Sequence, residues 1–238
     1  MKRSVSPQRE TWLPLGLACV AGCVDTVGFV ALFGVFTAHV TGNFVLIGSE
    51  MTHASGNVLL KLLVFPAFVA GVALARVAVL MFERHHRAAL SPMLLLQAWL
   101  LGGFMLLGWA ASPIRDTNAL LPVLSGITGA VAMGVQNAVG RLLLPAVAPT
   151  TVMTGNVTQV VIDAVDRLRG DADAVTRQRA VRVLGSVAAF GTGAVAGAFV
   201  FLWVGFTALL LPMGILAALA WAETGSHDTT SSELGSSV

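Results

Sequence analysis

The stretch AHVTGNFVLIG, residues 38–48, returns in altered form as TVMTGNVTQVV at residues 151–161. Thr41, Gly42 and Asn43 reappear as Thr154, Gly155 and Asn156, 113 positions further on. Each triplet sets a hydroxyl, a helix-breaking glycine and an amide between apolar runs. What such a triplet does depends on the solvent around it, and the composition identifies that solvent.

Of the 238 residues, 56% are hydrophobic and 11% charged, with a mean hydropathy of +0.83. Soluble domains carry about 25% charged residues, so a chain this apolar has a bilayer as its solvent. A crossing takes roughly 20 apolar residues. Six runs qualify, at about 12–36, 58–82, 93–111, 119–141, 182–204 and 206–222. The segments 41–50 and 154–165 are too short to cross and read as re-entrant or interfacial half-helices. The expected fold is an all-α integral membrane protein of six transmembrane helices.

The basic residues are placed unevenly. With the N-terminus inside, Lys2, Arg3 and Arg9 are cytoplasmic, as are Arg84, Arg87, Arg167, Arg169, Arg177, Arg179 and Arg182, whereas Lys61 and Arg115 fall outside. Cytoplasmic loops carry such an excess of Lys and Arg. Six crossings return the C-terminus to the cytoplasm, where residues 223–238 read as a disordered polar tail. Cys19 and Cys23 lie four apart on one helix, a poor geometry for a disulfide. VAGC at 20–23 resembles a lipoprotein processing site, but the apolar run continues past Cys23, unlike a cleaved signal. The sequon Asn156-Val157-Thr158 falls on the cytoplasmic side of this topology.

The triplets belong to a longer repeat. AGCVDTVG (21–28) aligns with MGVQNAVG (133–140), setting Gly22 on Gly134, Asp25 on Asn137, Val27 on Val139 and Gly28 on Gly140. Thr37 falls on Thr150. FVAGVALA (68–75) aligns with FGTGAVAG (190–197), setting Phe68 on Phe190 and Gly71 on Gly193. The expected organisation is a cytoplasmic N-terminus (1–11), a first membrane repeat (12–112), a second (113–222) and the tail (223–238). Three spans per half is an odd number, so the halves are inverted in the membrane, a layout that recurs in secondary transporters.

The combination of GCVD…G with TGN and a degenerate second copy resembles the YoaK family of small bacterial multi-pass membrane proteins over about residues 12–222. The resemblance implies an inner-membrane location and a domain of unknown function, with no established substrate.

Asp25 carries the sharpest chemistry. It lies near the middle of the first span, where a carboxylate costs several kcal/mol unless paired or hydrated. It reads as a proton or cation carrier, or as a structural acid hydrogen-bonded to neighbouring helices, with Arg76 either its salt-bridge partner or snorkelling to the headgroups. Asn137 has the same shape without the charge. Thr41 and Thr154 can cap the helices that follow, leaving Asn43 and Asn156 in first turns whose free N–H groups suit an anion or polar group. The plainer alternative makes each triplet a capped turn at the water interface. Gln97 and Gln136 read as interhelical hydrogen-bonding residues. The small-residue stripes Ala67/Gly71/Ala75 and Gly185/Ala189/Gly193/Gly197 read as close-packing faces, against the alternative of a mobile gliding surface.

His39 and His53 show no metal-ligand spacing; His85 and His86 sit in a basic loop. No phosphate loop, nucleophile elbow or HExxH motif occurs. DAVDRLRGDADAVTRQRAVR (163–182) reads as an amphipathic helix on the membrane surface, not a nucleic-acid site. The sequence therefore points to a small secondary transporter or exporter, not an enzyme, with no cofactor or metal. Its partners are the bilayer and an unidentified solute or ion, with a homo-oligomer left open. A passive channel or a non-transporting module acting through a partner protein are the alternatives.

Overall fold

The computed structural model describes residues 9–53, 58–145, 150–151, 153–169 and 174–235. Among them the chain is helical: α1 (Arg9–Ala31), α2 (Gly42–His53), α3 (Val58–Arg84), α4 (Leu90–Ala111), α5 (Leu120–Leu143), α6 (Met153–Leu168), α7 (Ala174–Val204) and α8 (Leu210–Gly235). Lys2 and Arg3 of the charge asymmetry lie outside the described residues. α8 runs on into the segment that composition assigns to a polar tail.

Five stretches are long and apolar enough to cross a membrane: Trp12–Ala31, Val58–Arg84, Leu90–Ala111, Leu120–Leu143 and Thr176–Thr224. The last has 49 residues. As one straight helix it would reach about 70 Å, more than twice the roughly 30 Å of a hydrocarbon core. A 3-10 turn at Gly205–Leu209 divides it into α7 and α8, with Gly205 at φ 59°. The directions of the helices follow from their contacts. Gly16 in α1 lies against Leu219 in α8, and Gly185 near the start of α7 against Leu15. α7 therefore runs alongside α1, and α8 returns toward the end from which α1 began. α4 and α8 are antiparallel, with Ser91 bonded to the Ala220 carbonyl and Gly108 packed on Phe206.

α1 and α5 form the centre. Buried positions make up 67% of the apolar window of α1 and 56% of that of α5, against 33% for α3 and α4. α1 packs chiefly on α7, and α5 on α3 and α4. Two crossings are so close that only glycine fits. A Cβ on Gly22 would stand 2.1 Å from the Phe190 carbonyl oxygen, and one on Gly193 would stand 2.1 Å from that of Cys19. The α3–α5 crossing has the same form: Gly71 faces the Val131 oxygen and Gly134 the Phe68 oxygen, each at 2.3 Å. The small stripes are therefore packing faces, which lets backbones touch where lipid supplies no hydrophobic drive. Between these pairs, Gln136 accepts from Gln97 at 2.6 Å and donates to the Leu17 carbonyl at 2.8 Å, joining α4, α5 and α1.

Three expectations need correction. The first span ends at Ala31 instead of residue 36, because Phe33 (φ 54°) and Gly34 (φ 87°) leave the helical region. Residues 163–182 do not form one surface helix: their first part ends α6 at Leu168 and their last part begins α7 at Ala174. Arg76 does not pair with Asp25. Asp25 is held by Thr37, Ala38 and His39, and the half-exposed Arg76 meets Glu83 at 4.0 Å instead.

Candidate functional site

After α1 ends, residues 32–41 turn back along it. The backbone N–H groups of Thr37 and Ala38 each donate to Asp25 Oδ1 at 2.8 Å, and His39 Nδ1 lies 2.6 Å from Asp25 Oδ2. Six residues separate Asp25 from Ala31, so the loop descends about 9 Å from the helix end before it is caught. A buried carboxylate would be costly if unpaired. Here one oxygen takes two backbone donors and the other takes the imidazole. Asp25 is 4% exposed, and the His39 side chain 35%.

Asn43 fixes the loop from its other side. Its Oδ1 accepts from the Phe36 N–H at 2.9 Å and its Nδ2 donates to the Phe36 carbonyl at 2.8 Å. Both polar ends are used, and the residue is 1% exposed. The first N–H groups of α2 are also taken: Gly42, Asn43 and Phe44 bond to the carbonyls of His39, Val40 and Thr41. α2 starts at depth. Phe44 stacks on Phe65 at 5.0 Å, seven residues into α3, about 10 Å along that helix from its start. Near the other end of α2, Glu50 meets Lys61 Nζ at 2.6 Å.

A cavity of about 490 Å³ opens at this junction, lined mainly by apolar surface from Thr26, Phe29, Phe36 and Phe190, with Asp25, His39, Thr41 and Gly42. Phe190 places it beside the middle of α7. Phe190 meets the His39 ring edge-on at 5.5 Å, and Phe29 and Phe36 lie 4.7 Å apart.

Of the residues singled out from the sequence, Asp25, Thr41 and Gly42 line the cavity, and Asn43 supports its loop. The second-half residues lie apart from it. Asn137 donates to the Thr151 hydroxyl at 2.6 Å, tying α5 to its own following loop. Thr154 and Gly155 fall inside the first turn of α6 instead of preceding it, and a Cβ on Gly155 would meet open space. Asn156 is buried, with Nδ2 3.7 Å from Met153 Sδ.

Sequence reasoning passed over His39, the three phenyl rings and two acid–base pairs. Lys61 is 1% exposed and holds Glu50, whose second oxygen is buried without a hydrogen bond. Asp163, also buried, is gripped by Arg179 at 2.7 Å and by Gln159 at 2.7 Å. Arg179, then Gln159, holds that carboxyl below the usual carboxylate range. The offset of 113 that carries one TGN onto the other also carries Glu50 onto Asp163, a signal that was there to be found. Among the described residues, no group of three or more His, Cys, Asp or Glu could hold a metal ion.

Long apolar helices, interhelical glycine crossings and a carboxylate held deep between them define a multi-pass helical membrane protein. Residues 13–222 match the family described as Protein of unknown function (DUF1275), and the chain belongs to it. It is 32% identical over 162 residues to the UPF0700 transmembrane protein YoaK of Bacillus subtilis (strain 168), covering 67% of this chain and 69% of that protein. No solved structure matches.

Proposed function

We propose that this protein is a small secondary transporter of the bacterial plasma membrane, the inner membrane where there are two, with both termini in the cytoplasm. Its two halves are inverted repeats, and it moves a solute instead of transforming one. The observation that carries this reading is the Asp25–His39 pair, held by a non-helical loop at a cavity beside the middle of α7. Irregular backbone at membrane depth is tolerated where it is buried in protein or lines a cavity, and intramembrane carboxylates mark ion and solute paths.

The packing supports the repeat. The 112-residue offset takes Gly22 to Gly134 and Cys19 to Val131, and a 122-residue offset takes Phe68 to Phe190 and Gly71 to Gly193. These are the residues of the two glycine crossings, contact for contact. Helix pairing follows the same exchange: α1 on α7 corresponds to α5 on α3, and α2 on α3 to α6 on α7. The charge asymmetry supports the orientation.

Thiol labelling tests the reading. In a Cys19→Ala/Cys23→Ala background, a cysteine at cavity-lining Thr41 is probed from each side of proteoliposomes with an impermeant reagent. Labelling from both sides, or a change of side when a pH gradient is imposed, is the expected result. Reaction from one side only, under every condition, would overturn the transporter reading.

A further inference from the structure

We infer that the Asp25–His39 cavity takes an organic monocation with a small aromatic or apolar body and gives up one proton for each cation bound, an inference that rests on the transport reading above. The charges lining the cavity decide the sign of the solute. Asp25 and His39 are its ionisable lining residues, and no Lys or Arg is among the residues that form its wall. α1 contributes Asp25, the 32–41 segment contributes His39 and Thr41, and α2 and α7 contribute Gly42 and Phe190; of these only Asp25 and His39 titrate. Glu50 of α2 and Lys61 of α3 pair with each other at 2.6 Å and are not among the residues that line the cavity. An anion would meet only an imidazole already paired with Asp25, whereas a cation that takes the place of the imidazole proton would have the Asp25 carboxylate as its counter-charge.

The walls decide the rest. Phe36 and Phe190 meet the imidazole and Phe29 packs on Phe36, and aromatic faces attract cations as well as apolar bodies. The volume of about 490 Å³ falls within the range of small-molecule sites. A bare metal ion would find one carboxylate, its oxygens already bonded to two backbone amides and the imidazole, and two threonine hydroxyls, too few free oxygens for its coordination shell.

The proton balance follows from the pair. In the inferred exchange the empty site is an imidazolium–carboxylate pair, Nδ1 2.6 Å from Oδ2, with a net charge of zero. A cation entering beside imidazolium would leave one positive charge unmatched in a poorly hydrated space, where desolvation disfavours the charged form. The Nε2 proton therefore leaves to water, Nδ1 keeps its bond to Asp25, and the site is neutral again with the solute as its cation. The imidazole is the more exposed member of the pair, 35% against 5% for the carboxylate, so the exchangeable proton faces the cavity.

Isothermal titration of the detergent-purified full-length chain with benzyltrimethylammonium, in two buffers of different ionisation enthalpy, tests this. The expected result is saturable binding with about one proton released per cation below pH 6, and an affinity for benzoate at least tenfold weaker. Asp25→Asn keeps an oxygen for the Thr37 and Ala38 amides and should lose at least tenfold in affinity. His39→Gln should bind without releasing a proton. Phe190→Leu should weaken binding about twofold to thirtyfold, the span expected for one cation–aromatic contact, with its melting temperature unchanged. Tighter binding of benzoate, no binding of the cation by folded wild-type chain, or binding indifferent to Asp25→Asn in a variant that still melts cooperatively would each overturn the inference. Those outcomes leave the two-sided labelling of Thr41 untouched, so failure of the solute class and failure of transport are told apart.

Discussion

Two glycines on one helix, two residues apart, should respond oppositely to the same added methyl. In α7, a Cβ on Gly193 would lie 2.1 Å from the Cys19 carbonyl oxygen, 2.8 Å from its carbon and 2.9 Å from its Cα. Ordinary contact begins at 3.4 Å, and backbone cannot rotate aside as a side chain can. Gly193→Ala must therefore push α7 off α1 along the tightest part of their crossing. Overpacking of this kind costs about 1–3 kcal/mol, and removal of a helix-interior glycine returns about 0.5–1 kcal/mol. These two terms leave a net loss of up to about 2.5 kcal/mol. A Cβ on Gly191 meets nothing within 4 Å, so Gly191→Ala keeps only the gain. Each kcal/mol moves the melting temperature of a chain this size by about 2–4 °C. Thermal unfolding of both variants in one detergent should place Gly193→Ala several degrees below wild type and Gly191→Ala at or slightly above it. Equal melting temperatures would refute the backbone-contact account. Gly134→Ala, 2.3 Å from the Phe68 oxygen, and Gly140→Ala, with open space around it, should repeat the contrast on the α3–α5 crossing.

Two further outcomes concern the acid–base pairs. Lys61→Met leaves the partly buried Glu50, whose second oxygen already has no hydrogen bond, without its cation and should cost up to about 3 kcal/mol, whereas the double variant Lys61→Met/Glu50→Leu should recover most of it. Unfolding curves of the two variants check this, and equal losses would show that the pair contributes little. Arg179 holds the Asp163 carboxyl below its ordinary range, so its stabilisation is present at neutral pH and is lost as pH falls through and below about 4. The melting temperatures of wild type and Asp163→Asn should therefore differ at pH 7 and converge toward pH 3; a constant difference would show that Asp163 acts through packing alone.

The spans were legible because twenty apolar residues in a row have few other uses. The end of the first span was not, because Leu32, Phe33, Val35 and Phe36 are as apolar as the helix before them. Hydropathy measures transfer from water, not backbone conformation, and Gly34 was the one local sign of a break. Asp25 was legible as a charge in an apolar run. Its partner was not, since His39 lies 14 residues on and was weighed as a metal ligand instead of as the mate of a carboxylate. Lys61 looked like an outer-loop charge, and only the packing of α2 on α3 shows it 1% exposed. Asn43 was legible as important but not in kind. An amide in a first turn suggests a ligand, and here both of its ends serve the Phe36 backbone.

On the inverted-repeat reading proposed above, what the halves share and what they do not separates scaffold from chemistry. The glycine crossings are shared, as are the acids that hold the short helices, Glu50 and Asp163, although their basic partners come from different turns of α3 and α7. The ionisable site is not shared. Asp25 answers to Asn137, and the offset that joins the triplets sets His39 against Val152. The amide keeps the hydrogen bond that ties the central helix to its loop, now to Thr151, but it cannot hold a charge. Two carboxylates at symmetric positions near one axis would repel and drive one another toward the protonated form. On the solute inference above, confining acid and imidazole to one half leaves a single ionisable pair to exchange one proton for one monocation.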